Sequence, residues 1–173
     1  MLVYRWLLPS ATLVVVLLLT LAPLGWPQTG RLAQLLLPVI PIHYWSLERS
    51  ERMPAGLVFL VGIVVDSLFG GPLGYWTLVY LVACVSGRIA GGDGAWKVWA
   101  ATWRFGIAIL PAGLLAFAIP TLYALRPLEA QQLLEACILV AAAYPVCALV
   151  FRALASGEGV RSSAPLRRGA AAP

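Results

Sequence analysis

Gly62-Ile63-Val64-Val65-Asp66-Ser67-Leu68-Phe69-Gly70-Gly71-Pro72-Leu73-Gly74 puts one carboxylate inside an apolar run, directly ahead of a glycine-proline turn. The run lacks the polar–apolar alternation of a strand, so it reads as a helix. On a helix, Gly62, Asp66 and Gly70 fall at i, i+4 and i+8 and share one face. Two glycines beside a carboxylate let a neighbouring backbone come close, as small residues do at helix contacts in membranes. A charge near the middle of a membrane helix costs ~3 kcal/mol or more. Asp66 is therefore expected to be sheltered, accepting hydrogen bonds from Ser67, from a neighbouring helix or from the amides of the Gly70-Gly71 turn. Two roles follow for it. It pins the third apolar helix to the fourth, or it stabilises a surface for a partner's helix.

The rest of the chain supports the membrane setting. Of 173 residues, 61% are hydrophobic and 11% charged, against about 45–50% and 25% in soluble domains. The composition is that of an all-α integral membrane protein without a sizeable soluble domain. The net charge of +5 does not point to nucleic acid, because the basic residues form no patch interleaved with polar surface. Cys84, Cys137 and Cys147 all lie in apolar segments, with neither CxxC spacing nor clustered histidine. They read as small packing residues rather than disulfide partners or metal ligands. No cofactor is expected.

A spanning helix needs about 20 mostly apolar residues, and six such passes are expected. They are Trp6 to Gly25, Arg31 to Leu47, Pro54 to Gly70, Leu73 to Ile89, Val98 to Leu122 and Gln131 to Leu154. The second is interrupted by Pro38 and Pro41, and the fifth is open to a kink at Pro111. Residues 1–155 form the membrane domain, and 156–173 a disordered basic cytoplasmic tail. The first pass has the charged start of a signal peptide, but five further apolar segments argue for retention.

Lys and Arg set the orientation. With the N-terminus inside, the cytoplasmic side collects nine (Arg5, Arg49, Arg52, Arg88, Lys97, Arg152, Arg161, Arg167 and Arg168), against two outside, Arg31 and Arg126. Both termini are then cytoplasmic. Arg104 lies within the fifth pass and is expected to snorkel to the cytoplasmic surface between Trp99 and Trp103. His43, Tyr44 and Trp45 read as an interfacial aromatic belt. Gly106, Gly113 and Ala141-Ala142-Ala143 offer close-packing surfaces.

Tyr44-Trp45 closing the second pass, then Gly62, Asp66, Gly70 and the pair Leu73-Gly74, resemble the corresponding set in the MreD family of rod-shape-determining inner-membrane proteins. The motif covers roughly a fifth of the chain. Chain length, six passes and short loops agree with the family over the whole. The resemblance implies a helical fold like the substrate-binding (S-component-like) subunits of vitamin transporters. It also implies a role in bacterial cell elongation and regulation of cell shape, in the elongasome. The implied partners are an MreC-like single-pass protein, an MreB-like filament, and the polymerase and transpeptidase of sidewall peptidoglycan synthesis. Asp66, Gly62, Gly70, Gly74, Tyr44 and Trp45 are the candidate partner or helix-packing residues.

Apart from the resemblance, the sequence contains no Ser/His/Asp arrangement, no metal-spaced ligands and no phosphate loop, so an enzyme is not expected. A small-molecule-binding uptake subunit is the competing class. It needs an outward polar pocket, for which Gln28, Thr29, Arg31, Arg126, Glu129 and Gln131 form a thin set. Lipid flipping needs a polar groove, where the sequence offers only isolated charges.

Overall fold

The structure, a computed structural model, describes residues 4–22, 25, 28–48, 53–70, 72–91, 98–124 and 130–162. Among them are seven helices and no strand: α1 (Tyr4–Leu21), α2 (Gln28–Leu36), α3 (Val39–Glu48), α4 (Ala55–Phe69), α5 (Tyr75–Ala90), α6 (Val98–Ala124) and α7 (Ala130–Ser162). Helix is the form in which a long apolar run satisfies its own backbone.

The expected second pass is two helices, α2 and α3. Pro38 lies in the turn between them, and Ile40 N–H and Ile42 N–H donate to Leu37 O and Pro38 O. Pro41 is absorbed in the first turn of α3, where a missing N–H leaves no helical bond unmade. The fifth pass is one helix that runs through both Pro111 and Pro120. The expected sixth pass is α7, which continues to Ser162, into the stretch expected to be an unstructured tail. Residues 163–173 lie outside the described residues, as do the loop basic residues Arg49, Arg52, Lys97 and Arg126.

Helices α3 and α5 carry the core. Helix α3 is covered almost all round, with Val39, Ile40, Ile42, His43, Trp45, Ser46 and Leu47 buried. Helix α5 packs against α3, α4 and α6, while α7 lies against α6 and α2. On α7 the buried residues Leu133, Ala136, Val140, Tyr144, Ala148 and Phe151 recur every three or four positions and mark one inward stripe. Helix α6 does the same with Ala101, Phe105, Ala108, Ile109, Ala112 and Ala116.

The outward faces are apolar too. Val14, Val15, Leu18, Phe59, Leu60, Leu68, Ile107, Leu110, Leu114, Ile138, Val146 and Leu149 are all exposed. Val98–Leu122 and Ala130–Ala155 are long and apolar enough to cross a membrane, and the apolar helices Leu7–Leu21, Ala55–Phe69 and Tyr75–Ala90 are shorter.

Candidate functional site

The site forms where α4 hands the chain to α5. Helix α4 ends at Gly70, whose φ of 67° is left-handed, and α5 begins after Gly74, whose φ is 95°. An L-residue with a side chain is strained at both positions, so the two glycines let the chain reverse. The reversal folds α5 back along α4 and brings its first turn onto Asp66.

A helix N-terminus leaves four amides without partners inside the helix. In α5 each is accounted for. Tyr75 N–H donates to Pro72 O. Trp76 N–H donates to Asp66 Oδ1 at 2.8 Å, and Thr77 N–H to Asp66 Oδ2 at 3.3 Å. The same Oδ2 accepts from Gly74 N–H at 2.9 Å and from the Thr77 hydroxyl at 2.8 Å. Gly74 occupies the cap position and has no side chain to offer, so Asp66 supplies the cap from the preceding helix. Its negative charge also sits where the α5 dipole is positive. Oδ2 thus takes three donors and Oδ1 one, and the side chain is only 1% exposed.

Gly62 and Thr77 set the distance between the two helices. A Cβ built on Gly62 would run into Thr77 Cα, a backbone atom that cannot move aside. Only glycine allows α5 to lie close enough for Asp66 to reach Gly74, Trp76 and Thr77. The open end of the hairpin is tied as well, because Arg88 Nη2 donates to Met53 O at 2.7 Å.

Of the three expected sources of donors for Asp66, the neighbouring helix is the one used. Ser67 is not a partner, since its hydroxyl donates back to Ile63 O at 2.8 Å within α4. Gly71 lies outside the described residues.

Arg104 reaches the carbonyl end of α5. Its Nη1 donates to Ala90 O at 2.7 Å, the last carbonyl of α5, while Trp99 and Trp103 are exposed. Helix α5 is thus held by an α4 carboxylate at its positive end and an α6 guanidinium at its negative end. Asp66 and Arg104 bind opposite ends of one helix, so they make no ion pair with each other.

Tyr44 and Trp45 lie on α3, which packs against α5. Trp45 is fully buried, and its indole N–H donates to the Thr12 hydroxyl of α1 at 2.9 Å. Tyr44 is half-buried and packs edge-on against Trp45 and beside Phe151 of α7. His43 is wholly buried, its Nδ1 3.2 Å from the Tyr144 hydroxyl, with Phe105 and Tyr144 stacked 4.1 Å apart beside it. The belt reading of these three residues is therefore corrected for His43 and Trp45, because α3 is enclosed by α1, α5, α6 and α7. Aromatic residues at a helix end look alike in sequence whether lipid or protein covers them.

The other expected packing surfaces divide. A Cβ at Gly113 would lie 3.2 Å from Cys137 Sγ, so this glycine does face α7. Gly106 has open space around its Cβ position, and Ala142 is exposed. Cys84, Cys137 and Cys147 are free thiols. No group of potential metal ligands occurs among the described residues.

Several structural residues escaped the sequence reading. Gly87 lies against α3, where a Cβ would meet His43 O and Ser46 Cβ at 2.9 Å. Beside it the Ser46 hydroxyl donates to Cys84 Sγ at 3.3 Å. The signal was present, since Ala83, Gly87 and Gly91 repeat the i, i+4, i+8 spacing of Gly62, Asp66 and Gly70. Gln34 donates to Leu19 O and Ala22 O, both at 2.8 Å, and ties α2 to the end of α1. Tyr75 and Tyr80 donate to Ala116 O and Leu35 O, each at 2.7 Å. No local pattern marks Gln34 or the two tyrosines, whose partners are backbone carbonyls of other helices.

No protein-family model, curated protein or solved structure matches the chain.

Proposed function

We propose that this chain is a six-pass, non-enzymatic scaffold of the bacterial inner membrane, similar to MreD, that serves cell elongation. Helices α1, α4, α5, α6 and α7 are one pass each, and α2 with α3 forms the broken second pass. Both termini face the cytoplasm. The apolar exterior supports a lipid setting, since soluble monomers rarely expose apolar patches beyond a few hundred Å².

The observation that carries the scaffold reading is the enclosure of Asp66. A general base or ligand-binding carboxylate opens onto its substrate, whereas Asp66 is only 1% exposed. Here all four donors belong to the hairpin itself. The charge is used to set the relative position of two helices. The ordered set Tyr44-Trp45, Gly62, Asp66, Gly70 and Leu73-Gly74 supports placing the protein beside an MreC-like partner. The mechanism is positional: a rigid bundle presents helix faces and short loops that hold MreC-like and peptidoglycan-synthesising partners in one assembly.

Affinity purification from membranes of cells that co-express an MreC-like protein tests this. Co-purification of the two in mild detergent is the expected result. Recovery with an uptake ATPase in place of the MreC-like protein would assign the chain to transport instead.

A further inference from the structure

The helices differ in height. Helix α4 has 15 residues and α5 has 16, so they rise about 22 and 24 Å at 1.5 Å per residue. A bilayer's hydrocarbon core is about 30 Å thick. Helix α6 has 27 residues, which is about 40 Å.

A hydrogen bond shows where the step falls. Tyr75 is the first residue of α5, and its hydroxyl is 2.7 Å from Ala116 O on α6. Helix α6 then continues through Phe117, Ile119 and Leu122 to Ala124. That extension adds about 12 Å of rise, more than the reach of one tyrosine side chain can absorb. The opposite end of the hairpin is anchored by charge, with Arg88 on Met53 O and Arg104 on Ala90 O. The shortfall therefore lies at the Gly70–Gly74 end.

That end has apolar side chains and no charge of its own, since Asp66 is consumed inside. Leu68 is 61% and Leu73 76% exposed. A hydrophobic length shorter than the hydrocarbon core is met by local thinning of the bilayer, at a modest cost per ångström of mismatch.

We propose that the exposed face of α4 and the outer end of the α4–α5 hairpin are matched to a locally thinned bilayer, so that this face gathers shorter acyl chains than the face of α6. The inference rests on the membrane reading above. Its partner is the lipid itself, selected by chain length.

The test uses full-length protein with its three cysteines replaced by alanine, carrying a fluorophore at Leu68→Cys or at Leu114→Cys. Far-UV circular dichroism confirms the helical bundle, and Leu60→Cys serves as a second probe of the α4 face. The protein is placed in dioleoyl phosphatidylcholine vesicles containing brominated dimyristoleoyl or dierucoyl phosphatidylcholine as quencher. Severalfold stronger association of the short-chain quencher at Leu68 and Leu60, with no such preference at Leu114, is expected. The same chain-length ranking on both faces overturns the proposal. Quenching at Leu114 with none at Leu68 or Leu60 overturns it too, because a protein surface then covers α4. No quenching at Leu114 removes the membrane reading itself, and the proposal with it.

Discussion

Asp66 is a charge whose cost is met locally. A buried carboxylate is tolerated when hydrogen bonds replace its water, and the first turn of α5 provides them. Asp66→Ala leaves Gly74, Trp76 and Thr77 without their acceptor, and the loss is expected to reach about 2 kcal/mol, the upper end for a removed helix cap. Asp66→Asn separates charge from shape. Its single carbonyl oxygen can take the Oδ2 position, with three donors, but its amide group then faces Trp76 N–H. Thermal unfolding in detergent should order the variants as wild type, Asn, then Ala. An Ala variant as stable as wild type would show that the hairpin does not depend on this cap. His43 carries the converse lesson. A lone histidine beside two aromatics has no sequence signal that separates an interface position from the interior, and only α7 bringing Tyr144 beside it decides the matter.

The α4–α5 hairpin is the element most clearly written in the chain. Gly70-Gly71-Pro72 announces a tight reversal, and Gly62 with Asp66 announces the inner face, while the left-handed backbone at Gly70 and Gly74 came from the structure. The partner on that face, Thr77, is invisible locally because its distance along the chain is set by the reversal and not by a helical period. Two glycine variants of one helix make the point testable. Gly62→Ala drives a methyl into Thr77 Cα and should lower the unfolding temperature and loosen the hairpin. Gly56→Ala, with nothing within 4 Å of its Cβ position, should be neutral or slightly stabilising, since alanine exceeds glycine in helix propensity by about 1 kcal/mol. Equal effects would mean that α4 and α5 are not in close contact. The break between α2 and α3 was legible from Pro38. That Pro41 would sit harmlessly inside α3 depended on where the new helix starts.

Taken as one body, the bundle is organised around α5, with α3, α4 and α6 packed on it. Its two ends are bound by charges from different helices. This gives the proposed topology a sharp consequence. Asp66 and the Gly70–Gly74 turn lie at the end of α5 opposite Arg88 and Arg104, so the two groups belong on opposite sides of the bilayer. Reporter fusions after Leu73 and after Ala90 should then give opposite readings, with the Ala90 fusion cytoplasmic. Cytoplasmic readings at both positions would refute the six-pass arrangement.

Long apolar runs without the alternation of barrel strands determine by themselves that those runs are helical, because a backbone amid so much apolar side chain must bond to itself. Spacing alone determines that Gly62, Asp66 and Gly70 share a face. Which donors meet Asp66, what encloses His43 and Trp45, and where Arg104 ends are decided only when the helices pack. Each depends on groups far apart in the chain, and local periodicity carries no information about such distances.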